Sequence, residues 1–109
     1  MITWDDFEKI DMRIGTIVSA EKFAKARKPA FKLWIDFGDL GIKQSSAQIT
    51  DHYVLEELIG KQIVAVVNFP PKQIADFISE CLVLGAYTKK GSVILLKPSF
   101  VSENGLKIG

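Results

Sequence analysis

Cysteine and histidine are almost absent from this 109-residue sequence, which contains one of each, Cys81 and His52. One cysteine cannot form a disulfide within the chain, and an unpaired thiol in an apolar segment is typical of a reducing compartment. A metal site would need more histidine or cysteine ligands than these. Because Cys81 lies in an apolar segment, we expect it to pack as a small hydrophobic residue. The sequence therefore predicts neither a metal, nor another cofactor, nor enzymatic activity.

Other common signals are missing too. No glycine pattern of the kind that binds phosphate is present, and no apolar run approaches the roughly 20 residues that a membrane-spanning helix needs. The acidic N-terminal segment MITWDDFEKI lacks the charged and then apolar order of a signal peptide. With the lone thiol, these features predict a cytoplasmic protein. The chain has 14 Lys and Arg against 13 Asp and Glu, which argues against a general polyanion binder, because such proteins bind mainly by neutralising phosphates.

Alternating apolar residues predict that most of the chain forms short β-strands. In FKLWIDFG, for example, Phe31, Leu33, Ile35 and Phe37 share one face. Gly15, within the first strand, suggests a bend or a bulge. The predicted strands cover residues 12–23, 31–38, 42–50, 62–69, 77–87, 92–98 and 104–109.

Two helices are predicted beside the strands. Thr3 and Asp6 form the pattern of a capping box at the start of a short N-terminal helix. TDHYVLEELIG predicts a second helix that begins near Thr50 or Asp51 and ends at Gly60. A helix between the third and fourth strands, together with many short strands, is typical of the five-stranded OB-fold barrel. We therefore expect a mainly β protein with a single domain over residues 1–109.

Two predicted strands are apolar on both faces. In IVAVVNF (63–69) and SVILLKP (92–98), both alternating sets of side chains are largely apolar. A strand of an antiparallel barrel normally exposes one face to solvent. The second face must therefore be covered, either by the two helices or by a second copy of the chain. A symmetric dimer is the commonest assembly of this kind, and we expect a homodimer.

The segment NFPPKQIADFISE predicts a rigid corner beside apolar surface. Pro70 and Pro71 cannot donate hydrogen bonds, so strand pairing ends there. Asn68, just before them, could meet a ligand or fix the turn. Ser79 and Glu80 place polar groups near the apolar residues of the corner, which is typical of a binding groove. The alternative is a corner whose polar groups are bonded within the chain.

Two further segments have open interpretations. KQSSAQ (43–48) collects hydroxyl and amide groups on a predicted strand, where such residues are uncommon. They could hydrogen-bond a ligand or hold neighbouring loops. A basic cluster with nearby aromatic residues could form a surface for single-stranded nucleic acid, or it could be a solvated loop. This cluster consists of Lys22, Lys25, Arg27, Lys28 and Lys32.

Several segments resemble the CsaA family, small prokaryotic proteins related to the tRNA-binding domain of methionyl-tRNA synthetases. They are FEKIDMRIGTIVSAEKF, PAFKLWIDFG, GIKQSSAQIT, VVNFPPKQIADFISECLVLG and NGLKIG, and together they span nearly the whole chain. The resemblance implies an OB-fold barrel and a homodimer. It also implies a chaperone-like role, in which a cavity near the dimer interface binds unfolded or export-bound polypeptides and the protein assists the secretion machinery.

The resemblance also implies site residues. The peptide-binding candidates are Phe31, Leu33, Gln44, Ser45, Ser46, Asn68, Phe69, Pro71, Ile74, Phe77, Ser79 and Glu80. Relatives that bind tRNA commonly have a basic residue and a glycine where this sequence has Ala75 and Asp76, which weakens the tRNA interpretation. A tRNA-binding protein that uses the basic cluster is the alternative function.

Overall fold

A computed structural model describes residues 1–109 and is dominated by β-strands. The elements are α1 (Trp4–Glu8), β1 (Met12–Lys22), β2 (Phe31–Asp36), β3 (Ile42–Ala47), α2 (Leu55–Leu58), β4 (Gln62–Val66), β5 (Lys72–Ile74), β6 (Phe77–Ser79), β7 (Leu82–Val83), β8 (Gly85–Tyr87) and β9 (Val93–Leu95). A 3₁₀ turn, Gly38–Leu40, connects β2 to β3. Neither helix has the length and apolar character needed to span a membrane.

Five strands form one antiparallel sheet in the order β3-β2-β1-β4-β7, which curls into a nearly closed barrel. The helix α2 lies between β3 and β4 along the chain. The predicted mainly β barrel of the OB-fold type is therefore confirmed. Two short hairpins, β5–β6 and β8–β9, stand outside this sheet.

The barrel core contains the apolar face of β2. Leu33, Ile35 and Phe37 are fully buried, and Phe31 is 8% exposed. All four belong to one cluster with apolar residues of β1, β3, β4 and α2. The predicted alternation of this strand is therefore confirmed.

Gly15 on β1 lies against this cluster. A Cβ atom at Gly15 would lie 2.6 Å from Ile35 Cγ2 and 2.7 Å from the Phe37 ring. Glycine is needed there because the two strands pack too closely for a side chain. The bulge of β1 lies between Ile17 and Ser19, so the predicted bulge at Gly15 is wrong in its position.

The N-terminal helix is capped as predicted. The Thr3 hydroxyl accepts a hydrogen bond from the Asp6 N–H at 3.1 Å, and the Asp6 carboxylate accepts one from the Thr3 N–H at 2.9 Å. This reciprocal pair satisfies two N–H groups that the helix itself leaves free. The capping-box prediction is confirmed.

The second helix is shorter than predicted. It covers Leu55–Leu58, while Thr50 and Asp51 precede it in a turn. The Tyr53 hydroxyl accepts a hydrogen bond from the Leu95 N–H at 2.9 Å, which holds this stretch against β9. Because a tertiary contact overrides the local helical pattern, Thr50 and Asp51 are wrong as helix caps.

The predicted strand over 77–87 is broken into β6, β7 and β8. The first break falls at residues 80–81, where the Glu80 N–H donates to the Gln44 carbonyl on β3 at 2.8 Å, and the second falls at Leu84. β6 pairs instead with β5 in a hairpin whose turn is formed by residues 75–76. Apolar periodicity does not reveal such a break, because each piece is itself rich in apolar residues.

The outer face of β4 is buried within the chain. Val64 and Val66, which alternate with the core residues of this strand, are only 9% and 5% exposed. The predicted terminal strand 104–109 is reduced to an isolated bridge to β1, where the Ile14 N–H also donates to the Leu106 carbonyl at 3.0 Å. The inference that the second face of β4 needs another chain to cover it is therefore wrong.

Candidate functional site

The barrel is closed on one side mainly by side-chain hydrogen bonds, with one backbone bond, instead of by a continuous strand ladder. There the outer edge of β3, residues 44–46, faces residues 79–81. The Gln44 N–H donates to Glu80 Oε1 at 3.0 Å, and the Glu80 N–H donates to the Gln44 carbonyl at 2.8 Å. We refer to these two segments as the closing seam.

The closing seam uses the polar groups of the KQSSAQ segment. Ser45 is 1% exposed, and its hydroxyl donates to the Cys81 carbonyl at 2.8 Å. The Ser46 N–H donates to Ser79 Oγ at 3.4 Å, and the Gln44 side-chain amide donates to a backbone carbonyl of β6 at 2.7 Å. These bonds correspond to the second interpretation of the segment, in which its polar groups hold neighbouring segments in place.

Asn68 is also bonded within the chain. Its Oδ1 accepts from the Asp11 N–H at 3.0 Å, and its Nδ2 donates to the Lys9 carbonyl at 2.7 Å. These bonds attach the end of the N-terminal helix to the corner after β4. Of the two roles predicted for the Asn68 amide, this geometry corresponds to fixing the turn.

An apolar cavity of about 760 Å³ opens beside the closing seam. It lies between the end of β3 on one side and the β7, β8 and β9 region on the other. The lining residues are Ser46, Ala47, Gln48, Ile49, Phe69, Pro70, Lys72, Ile74, Ser79, Glu80, Cys81, Leu82, Val83, Leu84, Gly85, Tyr87, Gly91 and Val93. A mostly apolar lining with a few polar groups is typical of a ligand-binding site.

The structure brings some of the predicted site residues to this cavity. Those that line it are Ser46, Phe69, Ile74, Ser79 and Glu80. Those that lie beside it, in the closing seam or at the corner, are Gln44, Ser45, Asn68 and Pro71. Those that are buried and outside its lining are Phe31, Leu33 and Phe77.

Sequence reasoning missed the contribution of residues 82–87. This stretch supplies Leu82, Val83 and Tyr87 to the cavity wall, but its sequence was interpreted only as part of a strand. Tyr87 is 83% exposed. The available signal was a tyrosine at the end of an apolar strand, directly before the TKKGS turn, where side chains return to solvent.

Burial determines the chemistry of Cys81. The residue is 6% exposed, and burial raises the pKa of its thiol to about 11, although the hydrogen bond with Ser45 acts in the opposite direction. A protonated thiol is a poor nucleophile. This agrees with the prediction that Cys81 packs as a hydrophobic residue. No group of three or more His, Cys, Asp or Glu side chains that could hold a metal ion comes together.

The basic cluster, in residues 22–32, lies against the β5–β6 hairpin. Phe23, Ala30 and Phe77 form a small buried group between the two. The Lys32 ammonium lies 4.9 Å from the centre of the Phe23 ring and 5.2 Å from that of Phe77. Since Phe23 and Phe77 are buried, they hold the segment in place and present no free face on which a base could stack.

Comparison with known proteins identifies the family. A family model described as "Putative tRNA binding domain" matches residues 12–107. The crystal structure of the chaperone CsaA of Bacillus anthracis is 58% identical, with a TM-score of 0.96, and the match covers 100% of this chain and 99% of that one. The CsaA chaperone protein of Picrophilus torridus is 60% identical, with a TM-score of 0.94 and full coverage of both chains. The chain belongs to the CsaA family. It carries the tRNA-binding domain that this family shares with methionine–tRNA ligases.

The ligases match over only a small part of their own length. The methionine–tRNA ligase of Methanococcoides burtonii is 40% identical over 105 residues, which are 96% of this chain and 15% of the ligase. That of Chlorobium chlorochromatii is 36% identical over 107 residues, again 15% of the ligase. The chain thus spans about 15% of these relatives, and the match is confined to their non-catalytic tRNA-binding domain.

Proposed function

We propose that this protein is a non-enzymatic, chaperone-like member of the CsaA family that binds unfolded or export-bound polypeptide segments in the cavity beside the closing seam. The observation that carries this proposal is the apolar cavity of about 760 Å³. Similarity to two CsaA chaperones over the full chain supports it. The proposal includes the role that the CsaA resemblance implies, which is assistance to the secretion machinery from the cytoplasm.

Apolar side chains provide most of the proposed contact. Phe69, Leu82 and Tyr87 line the cavity and are 54%, 48% and 83% exposed. Fully burying an exposed apolar side chain contributes about 1.5–3 kcal/mol, so covering one that is already half buried contributes roughly half of that. Apolar contacts depend little on the order of residues in the bound segment, which suits a protein with many clients. Ser46, Ser79 and Glu80 supply the polar part of the lining.

An extended segment fits the extended backbone beside the cavity. β3 ends at Ala47, and residues 48–49 continue along the cavity outside any strand. Such backbone presents N–H and C=O groups that an extended peptide can bond. Gln44 and Ser45 are bonded within the closing seam and do not line the cavity, so we exclude them from the proposed polar contacts.

Peptide binding by cavity variants tests the proposal. The probe is a fluorescein-labelled peptide of alternating leucine and serine, followed by anisotropy. Phe69→Ala and Tyr87→Ala each remove an exposed ring from the lining, so we expect binding to weaken about 5- to 30-fold in each. The control is Phe100→Ala, because Phe100 is 84% exposed but lies outside the lining. Equal effects of all three variants, or no binding by the wild type, would contradict the cavity as the site.

The proposal includes a homodimer. The N-terminal helix buries none of its residues, although it carries Trp4 and Phe7, and Trp4 is 85% exposed. Ile94 and Leu96, at β9, are 42% and 44% exposed. Monomeric proteins rarely expose large apolar patches, so a second copy that covers these residues accounts for their exposure.

Dilution tests the dimer. We expect sedimentation velocity to show a dimer at micromolar concentration and the melting temperature to rise with concentration. Leu96→Glu should give a folded monomer, whereas Leu95→Glu should destabilise the fold, because Leu95 packs against the barrel core. Val18→Glu, at an exposed residue in the bulge of β1, serves as the control. A folded wild-type monomer with a concentration-independent melting temperature would remove the dimer from the proposal.

The alternative function is tRNA binding by the basic cluster. Two observations favour it: the match to the tRNA-binding-domain family, and the absence of a carboxylate within 4.0 Å of Lys22, Arg27 or Lys28. This function would be favoured over polypeptide binding if tRNA bound tightly and its affinity fell steeply with salt. Arg27→Ala and Lys28→Ala should then make this salt dependence shallower. We expect only weak, non-specific binding.

A further inference from the structure

Two carboxylates neutralise part of the basic cluster. Lys25 Nζ lies 2.8 Å from Asp76 Oδ2, and Lys32 Nζ lies 3.8 Å from Glu21 Oε1. Glu21 is in the same strand as the start of the cluster, whereas Asp76 is 51 residues further along the chain than Lys25. Only the fold brings Asp76 to this position.

The position of Asp76 is fixed by the residues around it. It belongs to the two-residue turn of the β5–β6 hairpin, and its neighbour Phe77 is buried against Phe23 in the basic cluster's own segment. The hydrogen bond from Lys25 lowers the pKa of Asp76, and the charges of Lys25 and Lys32 act in the same direction. Asp76 is therefore ionised at neutral pH and lies in the field of both cations.

This ion pair has little effect on stability. The side chains of Lys25 and Asp76 are 71% and 53% exposed, and exposed ion pairs contribute little to the free energy of unfolding. Its effect is on the charge that the surface presents. A phosphate that approaches Lys25 has to displace a carboxylate that is already bonded to it, and it meets the negative charge that remains.

We propose that Asp76 is a specificity-determining residue: by occupying Lys25, its carboxylate excludes polyanions such as nucleic acid from the basic cluster, and so favours polypeptide over nucleic-acid ligands. The inference concerns the discrimination between the two ligand classes. It does not require that the cavity beside the closing seam be the polypeptide site.

The hairpin that carries Asp76 separates the two candidate surfaces. On one side, Lys72 and Ser79 line the cavity. Ile74 lies between the two surfaces, since it lines the cavity and also packs against the group of Phe23, Ala30 and Phe77. On the other side, Phe77 and Asp76 contact the basic cluster. A change at Asp76 should therefore alter nucleic-acid binding and leave peptide binding unchanged.

The test compares Asp76→Asn with Asp39→Asn. Both remove one negative charge, but Asp39 is an exposed residue of the 3₁₀ turn and takes part in none of the four ion pairs. The probe is a fluorescein-labelled oligouridine, titrated at several salt concentrations. With Lys25 released, we expect Asp76→Asn to bind about 5- to 10-fold more tightly at 50 mM salt, with a log–log salt slope steeper by about 0.7, which is the value for one additional phosphate contact on a single strand.

Lys25→Gln completes the cycle. In the wild-type background it should change oligouridine binding less than twofold, since Asp76 already occupies Lys25. In the Asp76→Asn background, Lys25→Gln should abolish the gain in oligouridine affinity. Equal effects of Asp76→Asn and Asp39→Asn, or a gain that survives Lys25→Gln, would overturn the inference. If the wild type does not bind the leucine–serine peptide, only the proposed function is contradicted, because the oligouridine measurements do not depend on peptide binding.

Discussion

The effect of Cys81→Ala on the free energy of unfolding is expected to depend on pH. At neutral pH the wild-type thiol is protonated in both the folded and unfolded chains, so Cys81→Ala removes buried packing and the weak hydrogen bond from the thiol to the Gln44 carbonyl. The residue is 6% exposed and belongs to the barrel core. A truncation of this size lowers the free energy of unfolding by about 1 kcal/mol.

At alkaline pH the unfolded wild type is stabilised by loss of the Cys81 thiol proton, whereas the folded protein retains this proton. Burial raises the pKa of Cys81 from 9.0 to about 11, so the folded state retains the thiol proton after the unfolded state has lost it. The wild type is therefore most stable below the unfolded pKa, and the contribution of Cys81 is lost as pH rises towards the folded pKa. With these two values, the loss at pH 10 amounts to roughly 1–2 kcal/mol.

The two effects should cancel between about pH 9 and pH 10. Below that range the wild type is the more stable protein, and above it Cys81→Ala is the more stable. The assay is urea unfolding of both proteins with a reductant present, at pH 7, 8.5, 9.5 and 10, and the quantity compared is the difference in the free energy of unfolding. Any ionisation that the two proteins share cancels in this difference. A difference that stays constant from pH 7 to pH 10 would refute the argument that burial controls the thiol.

Two glycine-related substitutions test the backbone and the core. Ala75 has a φ of 54° in the hairpin turn, which costs a residue with a Cβ about 1–2 kcal/mol, so Ala75→Gly should raise the melting temperature by a few degrees despite the greater freedom of glycine in the unfolded chain. A lower melting temperature would show that the turn is unstrained. Gly15→Ala should lower the free energy of unfolding by about 1–3 kcal/mol, because its Cβ would overlap the core residues Ile35 and Phe37. Urea unfolding measures this, and a change below about 0.5 kcal/mol would mean that the core adapts.

The parts of the fold that depend on neighbouring residues could be predicted from the sequence. The capping box of Thr3 and Asp6 is complete within four residues, and the buried face of β2 follows from the two-residue period of a strand. The helix predicted over 50–60 is shortened at its start, where the hydrogen bond between Tyr53 and Leu95 joins residues 42 positions apart. A single sequence gives no indication of such a contact.

The sequence indicated the apolar surroundings of the predicted site better than it indicated the partners of the polar residues there. The corner NFPPKQIADFISE does lie at the cavity, but the polar residues that drew attention to it bond within the chain. Gln44 and Glu80 are 36 residues apart. Polar residues on an edge strand are equally compatible with a ligand and with a distant partner segment, and periodicity cannot distinguish the two.

Closure by side chains explains why the cavity lies where it does. A continuous ladder between β3 and β7 would bond the backbone along the whole of β3 and leave no opening. The seam instead ends with the 3.4 Å contact between Ser46 and Ser79, and residues 47–49 then line the cavity opposite the wall that Val83 and its neighbours supply. The polar residues that the sequence marks therefore determine the position of the apolar cavity by closing the barrel up to its edge. On this argument, a substitution in the seam would affect a bound polypeptide through the width of the opening, while a substitution in the lining would affect it through direct contact.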